Sequence, residues 1–108
     1  MHELSPPSLS SRELLRRDRE RILGFLADRG VREVRVFGSV ARGEDAAGSD
    51  IDLLVELSGS PSRGGELLTV LGLSEELSEL LGVRVGVVTV RTLRPEVREL
   101  ALAEAVPL

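Results

Sequence analysis

Val36-Phe37-Gly38-Ser39-Val40-Ala41-Arg42-Gly43 and, six residues on, Asp50-Ile51-Asp52-Leu53-Leu54-Val55 are the two segments on which the reading of this sequence turns. Upstream of the first, Val34 and Val36 alternate with charged neighbours, so Val31–Phe37 has the period-two pattern of a strand that stops at Gly38-Ser39. A short helical turn over 40–42 and a loop over 43–49 follow. Residues 50–57 then read as a second strand of mostly apolar character.

Gly-Ser is common in turns and Asp-x-Asp at strand ends, so neither says much alone. Together they suggest chemistry, because Asp50 and Asp52 alternate to one face of a strand whose other residues are largely apolar. Two strand residues separate their backbones by roughly 6.6 Å, so the two carboxylates can converge on the same divalent ion or ion pair. Like charges so placed repel, and a cation offsets the repulsion. Oxygen-only ligation points to Mg²⁺ or Mn²⁺, held by one or two carboxylates plus substrate phosphates. The amides after Gly38, at the start of a helical turn, form a concavity for an anion, to which Ser39 adds a hydroxyl. An anion cradle beside a carboxylate-held metal is the equipment for a nucleoside triphosphate.

Outward from this pair the chain reads as alternating elements. Ser10-Ser11-Arg12-Glu13 has the form of a capping box, and Leu14, Leu15, Ile22, Phe25 and Leu26 fall on one stripe, which predicts a helix over 11–29 stopped by Gly30. Gly59, Pro61, Gly64 and Gly65 mark a loop over 58–65. A Leu-rich helix is expected over 66–81, ended by Gly82, with Gly72 inside it at a cost of about 1 kcal/mol relative to Ala. A third strand covers 83–90, and Pro95 opens a last helix running to 105. The order αβ(turn)βαβα, without repeats, implies an α+β fold, a two-layer α/β arrangement in which helices cover a small mixed sheet. A flexible tail over 1–9, with Pro6-Pro7, precedes a single domain over 10–108.

The composition narrows the chemistry. Cys, Lys, Asn, Gln, Trp and Tyr are absent, and all fourteen basic residues are Arg. Without Lys there is no Walker phosphate loop and no Schiff base; without Cys there is no thiol nucleophile, disulfide or thiolate metal site. The single His is His2, next to the first Met, which disfavours a Ser-His-Asp triad. A net charge of −4 argues against a general nucleic-acid-binding surface. No apolar run reaches the ~18 residues of a membrane span and no signal peptide opens the chain, so a cytoplasmic protein is expected. High Glu and Arg with no Asn, Gln or Cys fits a thermophile.

Gly38-Ser39-Val40-Ala41-Arg42-Gly43 followed by Ser49-Asp50-Ile51-Asp52-Leu53-Leu54-Val55 resembles the Gly-Ser-x10-Asp-x-Asp signature of the polymerase-β-like nucleotidyltransferase superfamily. Within it the chain is similar to the minimal nucleotidyltransferases, the antitoxin halves of two-gene modules whose partner is a HEPN-domain toxin. The likeness runs from residue 11 to the closing Glu104-Ala105-Val106-Pro107-Leu108. It implies transfer of a nucleoside monophosphate, AMP from ATP or another NTP, to an acceptor hydroxyl, with release of pyrophosphate. By the same resemblance Asp50 and Asp52 hold the metal as catalytic residues. Gly38, Ser39, Arg42 and Ser49 are the nucleotide-binding set, in which Ser39 meets the outer phosphates. Arg42 has a plainer alternative as a solvated residue.

One position departs from the family. Its third carboxylate belongs to a pattern like Val-Asp-Val-Val-Thr, and here Val85-Gly86-Val87-Val88-Thr89 has Gly86 in that place. Glu56 lies on the right strand face but roughly 13 Å from Asp52 along the strand, and Glu44 and Asp45 sit on a loop. The missing carboxylate leaves two readings: an enzyme that modifies its partner toxin, or a weakened nucleotide-binding antitoxin that works by docking. The chain has no Tyr, so a tyrosyl acceptor must come from another molecule. Leu73 in the 66–81 helix, with Leu93, Leu100 and Leu102, either fills a core poor in aromatics or forms a surface for a partner or a homo-oligomer.

Overall fold

A computed structural model describes residues 9–59 and 62–108. The tail expected over 1–9 therefore lies, but for Leu9, outside the described residues.

Ser10 starts the first helix, α1 (Ser11–Arg17), through a reciprocal cap: its hydroxyl accepts from the Glu13 N–H at 3.1 Å and the Glu13 carboxylate accepts from the Ser10 N–H at 3.0 Å. The single helix predicted over 11–29 is two, α1 and α2 (Arg19–Ala27), separated at Asp18. Asp18 leaves helical geometry (φ −101°, ψ 15°) and its carboxylate accepts two hydrogen bonds from Arg17. Aspartate is a poor helix-interior residue because its short side chain finds local partners instead. The Asp18 N–H still donates to Leu14 O, and its carbonyl still accepts from Ile22 N–H, so the break is a bend. Leu14, Leu15, Ile22 and Leu26 are buried across both helices.

The strands are β1 (Val31–Phe37), β2 (Ile51–Leu57), β3 (Val85–Val88) and β4 (Val106–Pro107), in sheet order β3-β2-β1-β4. Between β1 and β2 lies one helical turn, α3 (Ser39–Arg42). Between β2 and β3 runs α4 (Arg63–Leu81), and α5 (Pro95–Glu104) precedes β4. The fold is thus the mixed, helix-covered α+β sheet expected. β1 pairs antiparallel with β2 and β4, and β2 pairs parallel with β3. A parallel neighbour needs a crossover, which α4 supplies.

Ile51, Leu53 and Val55 of β2 and Val36 of β1 are buried in one cluster with Leu14, Leu15, Ile22 and Leu26, and with Val70, Leu73, Leu77 and Leu81 of α4. The helices α1, α2 and α4 therefore share one sheet face. Leu73, a candidate surface residue in the sequence, belongs to this core.

Several boundaries moved, β3 among them, which begins at Val85 rather than 83, and one strand is additional. α4 begins at Arg63 rather than 66, because the Ser62 hydroxyl accepts from the Gly65 N–H at 3.0 Å and starts the helix a turn earlier; it runs unbroken through Gly72. β3 stops at Val88, where Thr89 and Thr92 exchange hydrogen bonds and close a turn. β4, not anticipated, pairs Val106 with Val36 and Pro107 with Arg35, and the Leu108 N–H donates to Val34 O. Two residues are too few to show a period, and Pro is tolerated on this edge.

The other edge is closed by side chains. The outward N–H groups of Val85 and Val87 donate to Ser78 Oγ (2.9 Å) and Ser74 Oγ (2.8 Å) of α4, so β3 presents no open ladder there. Each hydroxyl in turn donates to the carbonyl four residues back in the helix. Among the described residues no helix is long and apolar enough to cross a membrane. Replacing both serines (Ser74→Ala, Ser78→Ala) strands these N–H groups and is expected to cost about 1–3 kcal/mol per site in urea unfolding; a double variant as stable as wild type would show that the edge is sealed by other contacts.

Candidate active site

The chain order of the strands brings three backbone segments to one end of the sheet. β1 ends where β2 begins, so Phe37 stands opposite Asp52, and the parallel β3 sets Gly86 beside Asp52 from the other side. Directly paired residues share a face, so Phe37, Asp52 and Gly86 all point away from the helix-covered core.

Gly38 fits there for two reasons. Its backbone (φ 79°, ψ −154°) is one that residues with a side chain scarcely reach, and a Cβ on it would lie 2.5 Å from Asp52 Oδ2. The strand end thus runs close under the aspartate, and the chain turns directly into α3. Ser39, the first residue of α3, is partly buried, and its hydroxyl makes no hydrogen bond among the described residues. Arg42 closes the turn, its N–H donating to Gly38 O at 3.1 Å.

Asp50 lies just before β2 and is exposed; Asp52, one residue into the strand, is partly buried. Burial raises the Asp52 carboxyl above its ordinary range, the nearby Asp50 and Glu104 charges add to the rise, and Arg42 opposes it. The Asp52 carboxylate accepts no hydrogen bond among the described residues. Two neighbouring acids, one of them desolvated and unpartnered, are the kind of donor pair that a hard divalent cation suits. No group of three His, Cys, Asp or Glu side chains gathers for a metal among the described residues. A cation here would rest on two protein carboxylates and take its other oxygens from water or phosphate.

Of the other predicted residues, Ser49 is occupied with the loop that delivers Asp50. Its hydroxyl accepts from the Ala46 N–H at 2.7 Å and its carbonyl accepts from the Ser11 hydroxyl. The Asp45 carboxylate accepts from the Arg12 N–H at 2.8 Å, Glu44 pairs with Arg42 at 3.0 Å, and Glu56 pairs with Arg32. Asp45 and Glu56 are thereby engaged elsewhere, and Glu44 is taken up by Arg42. Gly86 leaves room: a Cβ on it would sit 3.6 Å from Asp52 Oδ1, an ordinary contact.

One residue at the site was not singled out from the sequence. Glu104, the last residue of α5, accepts from the Gly38 N–H (Oε1, 3.2 Å) and from Arg42 Nη1 (Oε2, 2.8 Å), and its side chain is only 17% exposed. Sixty-two residues separate it from Arg42, and no local pattern signals the contact. The open face continues past Asp52 to a cavity of about 380 Å³ bounded by Arg35, Leu54, Glu56, Thr89 and Val90, which does not include the aspartates.

A family model described as a nucleotidyltransferase domain matches residues 19–108. The chain belongs to the nucleotidyltransferase family. It is similar to the protein adenylyltransferase MntA of Thermococcus cleftensis, with 43% identity over 77 residues, 71% of this chain and 74% of that one. A solved structure described as a minimal nucleotidyltransferase is 47% identical, with a TM-score of 0.70 over 90% of this chain and 95% of the other. A toxin–antitoxin structure with AMP-PNP shares the fold at 19% identity, with a TM-score of 0.63 over 82% of this chain and 69% of that one. Fold and family are those the signature implied, and the protein is a nucleotidyltransferase by descent.

Because Asp52 holds its proton more tightly when folded than when unfolded, its contribution to stability is present below the ordinary aspartate range and is lost as pH rises through the raised value. At neutral pH the ionised Asp52 of this nucleotidyltransferase is therefore a liability. Asp52→Asn is expected to raise the melting temperature of the metal-free protein at neutral pH, with the gap to wild type closing as pH falls into the carboxylate range. A lower melting temperature at neutral pH would count against this account of the site.

Proposed function

We propose that the chain transfers AMP from ATP to a hydroxyl of a HEPN-type toxin and acts as its antitoxin in the cytoplasm, residues 10–108 working as one nucleotidyltransferase domain. The observation that carries this reading is the close approach of the Gly38 backbone to Asp52 with Asp50 adjacent, which sets an anion cradle against a pair of acids. The name of the Thermococcus relative supports protein adenylylation, and the toxin–antitoxin structure with AMP-PNP supports a toxin partner and an adenine nucleotide.

In this reading Gly38, Ser39 and Arg42 receive the outer phosphates: the glycine through its N–H and lack of a side chain, the serine through its free hydroxyl, the arginine through charge. Ser49 acts by holding the loop that aims Asp50. Asp50 and Asp52 hold Mg²⁺ or Mn²⁺, which when bound neutralises phosphate charge and stabilises the charge developing on the attacking and leaving oxygens. The acceptor oxygen attacks the α-phosphorus in line, the bond from that phosphorus to the β-phosphate bridging oxygen breaks, pyrophosphate leaves, and the hydroxyl proton passes to solvent. Protein residues mainly position and balance charge. Leu67, Leu68 and Leu71 on α4 and Leu100 and Leu102 on α5 are exposed and offer apolar surface for the partner.

Gly86 favours a second reading, the docking antitoxin with weak or no transfer, because no carboxylate stands beside Asp52 on β3. Calorimetry with Mg²⁺–ATP addresses the site itself: Asp50→Ala with Asp52→Ala is expected to abolish binding, and an unchanged affinity would overturn the assignment. Labelled-ATP transfer to the toxin separates the two readings. A Cβ at position 86 meets only an ordinary contact, and Gly86→Asp is expected to raise the rate by tenfold or more, on the order expected for a group that stabilises developing charge; wild-type transfer that already equals the variant would show that position 86 needs no acid.

A further inference from the structure

We propose that Glu104 is a built-in occupant of the phosphate cradle, and that nucleotide binds by displacing its carboxylate from the Gly38 N–H and the Arg42 guanidinium. The inference rests on the reading of Gly38 and Arg42 as nucleotide contacts.

A carboxylate and a phosphate make the same demand on their surroundings: both are acceptor-only oxyanions that seek N–H donors and positive charge. The Glu104 oxygens take one of each, at 3.2 Å from Gly38 N and 2.8 Å from Arg42 Nη1. Gly38 has a single N–H, and Glu104 already uses it. Arg42 is also held at Nε by Glu44, so its charge is balanced twice over before any ligand arrives. An incoming polyphosphate therefore competes with Glu44 and Glu104 for one guanidinium, and with Glu104 for the single Gly38 N–H.

Nothing in its own helix holds Glu104 there. It is the last residue of α5, where the negative end of the helix dipole disfavours an acid, and the last turn of α5 contains no basic residue. Its position comes from the cradle, and helix ends open readily. Directly after it, β4 is fastened by the Leu108 N–H to Val34 O (3.2 Å) and by Arg19 Nε to Leu108 O (2.8 Å). Releasing Glu104 removes one of the links between the cradle and β4, which keeps its pairing with β1, so nucleotide and the 105–108 segment are coupled.

The test is calorimetric titration of a non-hydrolysable ATP analogue with Mg²⁺ into the wild-type protein and into Glu104→Ala, Glu104→Gln and Arg42→Ala, each checked for a cooperative melt. Losing a charge-assisted competitor is expected to tighten binding about tenfold in both Glu104 variants, while Arg42→Ala weakens it. Weaker or unchanged binding in the Glu104 variants, with wild-type binding intact, would overturn the proposal and make Glu104 a residue that holds the cradle in shape. Absence of binding in all four proteins would overturn the nucleotide reading of the site as well. Hydrogen exchange gives a second readout: the analogue is expected to speed exchange of the Leu108 amide in wild type, and an unchanged rate there would also count against displacement.

Discussion

The register that sets Phe37 opposite Asp52 is the constraint on which the site depends. Side chains alternate across a sheet, so a slip of one residue would turn Asp52 into the core and expose Leu53. The apolar residues prevent it. Ile51, Leu53 and Val55 are almost wholly buried against α1, α2 and α4, and Val36 opposite Leu53 fills the same layer. Burying each such side chain contributes about 1.5–3 kcal/mol, so a slipped strand would forfeit several of these at once. The irregularity in the β1–β2 ladder falls between Val31 and Glu33, at the far end, and the pairing next to Asp52 stays regular. The core therefore aims Asp52 away from itself.

The site built on this register is short of positive charge. Among the described residues Arg42 is bonded to Glu44 and Glu104 and lies near Asp52, and the hydrogen bonds to Glu44 and Glu104 push the proton affinity of its guanidinium up further. Asp52 carries the cost, since it is partly desolvated and accepts no hydrogen bond among the described residues. Such an arrangement favours function over stability: a partly desolvated acid without a hydrogen-bond donor among the described residues destabilises the protein at neutral pH.

Much of this was legible in the sequence because it is local. The Ser10 cap, the strand alternation, Pro95 at the opening of α5 and the spacing from Gly38-Ser39 to Asp50-Ile51-Asp52 are each written within a dozen residues or so, and the structure has these elements where the pattern sets them. Element ends were less legible. Asp18 bends a helix whose apolar stripe runs straight through it, and Ser62 starts α4 ahead of two glycines that read as loop. β4 and Glu104 were not legible at all, since a two-residue strand has no period and the Glu104–Arg42 contact spans 62 residues. An acid at a helix end looks like surface until the topology places it over Gly38.

Glu104 invites the thought that it replaces the carboxylate absent at Gly86, and the sheet order argues against it. Gly86 adjoins Asp52 from β3, whereas Glu104 bonds to Gly38 and Arg42 at the end of β1, on the opposite side of β2. Neighbouring strands are about 4.8 Å apart, so the two positions differ by roughly two strand spacings across the aspartate. A side chain fastened to the anion end of the site cannot serve its acceptor end as well. Beside Asp52 Oδ1, then, β3 offers Gly86 and no carboxylate. A carboxylate at that place would have to be built on β3 or be brought by another molecule.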